Sequence, residues 1–305
     1  MQIFLTGASG YIGASVLDAL VRGGHHVTAL VRTPGKAEAL KSASVRAIVG
    51  TIATPDRYVD AASECDGIVH AAYDRSKNAE ATDKLAIELL LGVAHRRADA
   101  GLPTALVYTS GLWILGNTQG RADELAPVAP VAHASFRTAH EQLVLDANRG
   151  NTLRTIVVRP GIVYGGARGI IGDLLKDALN GLVRVVGTGR NHWPCVYDRD
   201  LADLYVRLVA HPDARGVYHA NDEADERVDD IVDAIARHTK MRPDVRHVPL
   251  DEARSKLGPV ADALALDQVV RSARARALGW TPTLHSVSGN VARLLEEFRT
   301  AREAA

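Results

Sequence analysis

Three glycines spaced three apart, Gly7, Gly10 and Gly13, stand between a short apolar run ending at Thr6 and a helical pattern starting at Tyr11. No other feature narrows the fold as far. Gly7 permits a tight turn, Gly10 lets backbone amides approach a pyrophosphate, and Gly13 lets the helix pack closely on the strand. The helix then presents free N–H groups and partial positive charge to the same anion. Ser9 adds a hydroxyl donor. A strand, a glycine turn and a helix in this order predict the first unit of a dinucleotide-binding sheet.

The chain beyond it keeps the same rhythm. Short runs rich in Val and Ile fall at Gln2–Thr6, His26–Val31, Val45–Val49, Gly67–His70, Thr104–Thr109 and 154–158. Apolar residues on both faces suit strands buried between two layers of helices. Helical patterns separate them at Tyr11–Arg22, 36–42, 56–63, Ala79–Asp99 and 133–148. Six strands linked by helices predict right-handed crossovers and an α/β fold with a doubly wound parallel sheet. From Tyr164 the texture changes, with Gly165, Gly166, Gly169 and Gly172 ahead of another helix and then NHWPCVYD. We therefore expect a nucleotide-binding domain over 1–165, with 196–240 returning to its sheet. A smaller, discontinuous substrate domain is expected over 166–195 and 241–305. Asp200 opens a later helix and reads as its N-cap.

Composition excludes several classes. The 36 basic and 36 acidic residues cancel, so no field of one sign draws in nucleic acid or an anionic membrane. Cys65 and Cys195 are the two cysteines, too few for a disulfide framework or a four-thiolate metal site. The opening MQIFLTGASG has no basic segment followed by an apolar one, and no run of about 18 apolar residues occurs. A cytoplasmic location, with neither nucleic acid nor membrane as partner and no metal, is the expectation.

The end of the second run discriminates between dinucleotides. NAD sites place an acidic residue there to hold the ribose hydroxyls. Here Leu30 and Val31 are apolar and Arg32 follows. A guanidinium fork grips a 2′-phosphate that a carboxylate would repel. NADP(H) is the expected cofactor, with Lys36 nearby either as added charge or as a solvated surface lysine.

Taken together, TGASGYIG, VRTP, CDGIVHAAYD, LVYTSGLWILG, VRPGIVYG, DRDLADLYVRLV and RALGWTP resemble the extended short-chain dehydrogenase/reductase superfamily, whose members are epimerase/dehydratase-like. VRTP is similar to its NADP-linked branch, and the resemblance runs from about Gln2 to Pro282. It implies a Rossmann-type sheet with Gly7, Ser9, Gly10, Tyr11 and Ile12 on the pyrophosphate and Arg32 on the 2′-phosphate. It implies Thr51 and Ile52 beside the adenine, where the family usually has Asp-Leu. Ala71, Ala72, Tyr73 and Thr109 would line the middle of the cofactor, and Pro160, Gly161 and Ile162 its nicotinamide end.

The family's chemistry rests on a Tyr-x-x-x-Lys helix and a Ser or Thr. In HASFRTAHEQLV the Tyr position falls on His133 and the Lys position on Arg137, while the hydroxyl position falls on Gly111. Thr109 and Ser110 precede it. Ser110 and His133 are the remaining catalytic candidates. His133 reads either as a replacement proton donor, since imidazole titrates near neutrality, or as a histidine with no catalytic task. Arg137 stays protonated and can hold the nicotinamide ribose. His133, Arg137 and His140 could share a helix face. Tyr73, Trp113, Tyr164, His192 and Trp193 fall where the resembled fold faces its substrate. Singly each reads equally well as packing; as a group they favour a flat aromatic ligand over a nucleotide-sugar.

The resemblance thus implies an atypical NADPH-dependent ketoreductase acting on a bulky aromatic ketone, similar to reductases of bacterial polyketide antibiotic biosynthesis such as angucyclinone ketoreductases. Two alternatives stand beside it: a catalytically inactive NADP(H)-binding redox regulator, and a nucleotide-sugar epimerase or dehydratase.

Overall fold

The computed structural model describes residues 1–74, 76–240 and 242–303. β1 (Gln2–Thr6), α1 (Tyr11–Arg22), β2 (His26–Val31), α2 (Pro34–Leu40), β3 (Val45–Val49), α3 (Val59–Ser63), β4 (Gly67–His70), α4 (Ala79–Asp99) and β5 (Thr104–Thr109) alternate along the chain. β6 (Arg121–Ala122) and α5 (Phe136–Asp146) precede β7 (Leu153–Pro160). Then come β8 (Ile162–Tyr164), α6 (Gly169–Leu179), β9 (Leu182–Val186), β10 (His192–Trp193), β11 (Cys195–Tyr197), α7 (Asp198–Ala210) and β12 (Gly216–Ala220). β13 (Glu226–Arg227), α8 (Val228–Arg237), β14 (Asp244–Val248), α9 (Leu250–Leu257), α10 (Val260–Leu264), β15 (Val269–Val270), α11 (Ala273–Ala277) and α12 (Val291–Glu303) complete it.

Seven strands form one sheet in the order β12-β7-β5-β4-β1-β2-β3. β1 pairs in parallel with β2 on one side and β4 on the other, Ile3 standing opposite both Val27 and Gly67. Strand order therefore reverses between β1 and β4, the switch point at which doubly wound sheets bind ligands. β4 is buried along its whole length, and so is β7, as befits strands covered on both faces. Five expected strands keep their boundaries; the sixth extends beyond 154–158 at both ends to become β7.

Local chemistry moves some helix ends. Thr33 accepts from the Lys36 amide at 3.3 Å and Pro34 occupies the first turn, so α2 starts before 36. The expected helix over 56–63 is a 3₁₀ turn at Pro55–Arg57 followed by α3. The one expected over 133–148 is a 3₁₀ turn at Ala132–Ala134 and then α5, so His133 precedes the helix instead of sharing a face with Arg137 and His140.

The chain forms two compact units. The first comprises Met1–Ser110, Ala139–Val158 and Ala202–Tyr218, and the second Gly111–Thr138, Arg159–Leu201 and His219–Ala305. Segments 111–138 and 159–165, expected in the nucleotide domain, lie in the second unit; of 196–240, Ala202–Tyr218 lies in the first unit, 196–201 and 219–240 lie in the second, and β12 joins the seven-stranded sheet. The first unit's core joins Phe4, Ile68, Leu90, Leu106 and Val157. Buried Arg154 closes the end of α7 by donating to the carbonyls of Leu208, Val209 and Ala214. The second unit packs α6, α8 and α12 around Leu175, Val183, Ile231, Leu294 and Phe298.

Asp200 is a correction. It lies inside the first turn of α7, not at its cap. Its carboxylate accepts from the amides of Thr283 and Leu284 and from the Thr283 hydroxyl, while its carbonyl accepts from the Trp280 indole. Buried at 2% exposure, it anchors the GWTP segment. Among the described residues no helix is long and apolar enough to cross a membrane.

Candidate functional site

The turn after β1 is closed by the Gly10 amide donating to the Gly7 carbonyl at 2.7 Å. Gly7 sits at φ +75°, and a Cβ there would stand 2.7 Å from the Ala71 carbonyl and the Ala72 amide. A Cβ on Gly13 would run into the Gly7 carbonyl. Both glycines are therefore required by close approach: the turn to β4, and α1 to the turn. α1 begins without a side-chain cap and without an acidic residue in its first turn. Its positive end is left for an external anion. Ser9, Tyr11 and Ile12 are half-buried around it.

Beneath the turn lies a network the sequence reading missed. The Ala72 amide donates to the Thr6 hydroxyl oxygen at 3.2 Å, and that hydroxyl lies 2.7 Å from His70 Nδ1. His70 Nε2 meets Asp83 Oδ1 at 3.1 Å; the other Asp83 oxygen accepts from the Tyr108 hydroxyl and His140 Nδ1, both at 2.8 Å. Asp83, His70 and His140 are at most 2% exposed. With the His70 proton on Nε2, Thr6 donates to Nδ1 and accepts from Ala72, so every link has one donor and one acceptor. The amide beside the glycine turn is thereby tied to α4 and α5. Asp83 looks in the sequence like one more polar helix residue; the nearest signal is the buried His70 in the VHAA run.

At the end of β2, Leu30 and Val31 are buried and Arg32 is exposed. No ion pair engages Arg32 among the described residues. Thr51 is exposed in a turn held by its amide on the Thr54 hydroxyl, while Ile52 packs into the core beside Phe4 and Leu30. Ala71 and Ala72 are half-buried and Tyr73 is 44% exposed. At the end of β5 the Thr109 hydroxyl lies 2.7 Å from that of Tyr205 on α7, a second partner absent from the sequence reading. Ser110 is tied to β7 through its amide on the Val158 carbonyl. Its buried Oγ has no partner among the described residues. Such an orphaned hydroxyl is costly unless a ligand completes it. A glycine cradle, an uncapped helix end, an exposed guanidinium and an orphaned hydroxyl all fit a dinucleotide.

In the second unit, the Gly161 amide donates to the Ala220 carbonyl and the Ile162 amide to that of Pro194. A Cβ on Gly161 would collide with the Pro194 carbonyl, so the residue beside Pro160 cannot carry a side chain. His133 stacks edge-on against Trp113, ring centres 5.6 Å apart at 63°. Burial, aided by the charge of Arg137, lowers its pKa. The Arg137 guanidinium lies 5.1 Å from the Phe136 ring centre.

The aromatic candidates separate. Trp113 and Trp193 line one cavity, and the Trp193 indole N–H donates to the Leu264 carbonyl at 3.0 Å. His192 is bound to Asp267 through both its amide and Nδ1. Tyr164 is corrected from ligand contact to core: it is 0% exposed, with its hydroxyl on Asp222 at 3.2 Å.

Comparison with known proteins agrees with this geometry. The model of the NAD dependent epimerase/dehydratase family matches residues 3–221. The 4-hydroxy-2-methyl-3-oxo-4-farnesyl-3,4-dihydroquinoline-1-oxide ketoreductase of Stigmatella aurantiaca is 28% identical over 267 residues, 84% of this chain and 78% of the relative. Among solved structures, MoeE5 in complex with UDP-glucose and NAD superimposes with a TM-score of 0.82 at 21% identity, covering 100% of each chain. Human epimerase family protein SDR39U1 with NADPH gives 0.77 at 19%, covering 97% of this chain and 99% of its own. The two structures share the fold; the family match spans the glycine turn, the β4 and β5 ends and the β7 segment alike, and by it the chain belongs to the NAD dependent epimerase/dehydratase family.

Proposed function

We propose that this protein is an NADPH-dependent oxidoreductase, a ketoreductase acting on a bulky aromatic ketone. The observation that carries the reading is an intact dinucleotide cradle in the first unit in a chain whose second unit holds no usable acid at the family's catalytic positions. Gly111 has no side chain, Arg137 holds its proton, and His133 is packed on Trp113 with its basicity reduced. A relative named for reducing a ketone on a substituted quinoline ring supports the aromatic substrate, and Arg32 supports the 2′-phosphate.

A bound nicotinamide would supply the hydride. The chain's own work is to grip the pyrophosphate at α1, hold the 2′-phosphate with Arg32 and complete the Ser110 hydrogen bond. Such positioning alone is worth several kcal/mol of barrier. Charge developing on the carbonyl oxygen must still be neutralised. We assign that role to the substrate, through a phenol conjugated to the ketone or hydrogen-bonded to it.

Two ketones of matched shape test this, one with the neighbouring phenol free and one with it methylated. NADPH fluorescence should fall with the first and much more slowly with the second. Equal rates once both are bound would overturn substrate assistance. Cofactor binding with no turnover of any ketone would favour the redox regulator.

A further inference from the structure

The cavity lined by Trp113 and Trp193 lies wholly in the second unit and measures about 500 Å³. That is far above the voids packing tolerates and within the range, about 300–1,000 Å³, that receives organic ligands. α6 supplies one wall from a single face, with Leu174 among its residues; Val185 and Val186 of β9 and Val260 and Leu264 around α10 supply others. Four charged residues line it, Asp173 and Asp177 against Arg184 and Lys256, so their charges cancel. Asp173, Arg184 and Lys256 are exposed and form its rim, beside Leu257 at 49% exposure. The indole donor of Trp193 is already committed to Leu264. The wall therefore offers a ligand apolar surface and two aromatic rings but no cluster of cations for a diphosphate.

We propose that this chamber binds an uncharged hydrocarbon group, a fused ring system or a long alkyl chain, and not the nucleotide portion of a nucleotide-sugar. That the group belongs to the ketone rests on the reading above; the binding itself does not.

The test uses the full chain and neutral N-phenyl-1-naphthylamine as probe. Two of the three tryptophans line the chamber, so energy transfer from tryptophan to the dye reports occupancy. Saturable transfer is expected, weakened in Trp193→Phe. Straight-chain alcohols should displace the dye about fourfold more strongly per added methylene. UDP-glucose should not displace it. Val260→Arg and Leu264→Trp, each checked for folding by circular dichroism and thermal unfolding, should weaken dye binding at least tenfold. Non-saturable binding, displacement by UDP-glucose, no dependence on chain length, or unchanged affinity in both folded variants would each overturn the proposal. Dye binding as expected with no ketone reduced would leave the chamber standing and sink the ketoreductase.

Discussion

At the scale of single residues, the proposed preference for NADPH rests on the charge at one strand end. Arg32 should favour NADPH over NADH, and Arg32→Ala should cost about 1.5–3 kcal/mol, or ten- to hundredfold in NADPH affinity. Titration of both cofactors into both proteins measures it; equal dissociation constants in the wild type would refute the assignment. His133 is the opposite case. A positioned acid contributes about 10²–10⁴-fold, but a histidine whose pKa is lowered by burial and by Arg137 is a poor one. His133→Phe should therefore lose far less than a hundredfold in turnover at saturating ketone. A larger loss, with a pH–rate limb that vanishes in the variant, would restore His133 as the donor. Gly7 and Gly13 were legible because their roles depend on a local pattern. Tyr164 was not: its position by sequence is the family's, and only the hydroxyl contact with Asp222 and complete burial show it to be core.

At the scale of elements, β1 pairs with β4 along its backbone, and Asp83 on α4 ties the end of β4 to β5 and α5 through His70, Tyr108 and His140. Asp83→Ala removes the acceptor that His70, Tyr108 and His140 share inside the first unit. Stability should fall by about 1–3 kcal/mol or more, the cost of leaving buried donors without their acceptor, with Asp83→Asn falling between. Denaturant titration gives the value; a change under 1 kcal/mol would mean the network is incidental. Five strand boundaries could be read from the sequence because short runs rich in Val and Ile between helical patterns leave little choice. The Asp83 network could not, since its members are 57 residues apart at the widest link to Asp83 and nothing local marks them as partners.

At the scale of the whole molecule, two buried groups give stability opposite pH dependences. Burial, with Arg159 adjacent, lowers His219 to about 3. Its contribution is complete above its ordinary 6.5 and is lost as pH falls from there toward 3. Burial, reinforced by Glu226, raises Asp222 to about 8. Its contribution is complete below its ordinary 3.8 and is lost as pH rises toward 8. Between about pH 4 and 6.5 the two oppose each other. From 6.5 to 8 Asp222 acts alone, so stability should decline by up to about 1.4 kcal/mol per pH unit. Asp222→Asn should flatten that decline in unfolding experiments; an unchanged slope would show that another group titrates there. The sheet class and its glycine turn were legible from rhythm along the chain. The division into units was not, because it depends on which distant segments pack together.

That division sets the order in which the protein can be made. The chain leaves the first unit after Ser110, re-enters it at Ala139, leaves after Val158, returns at Ala202 and departs after Tyr218. At roughly 5–20 residues per second, translation needs about 5–20 s to pass from Ser110 to Tyr218. For part of that time β5, interior in the finished sheet, is an open edge awaiting β7. An unpaired edge rich in apolar residues is where nascent chains adhere to one another. Recovery from a heterologous host should accordingly depend on growth temperature and chaperone supply more than on the stability of the finished fold.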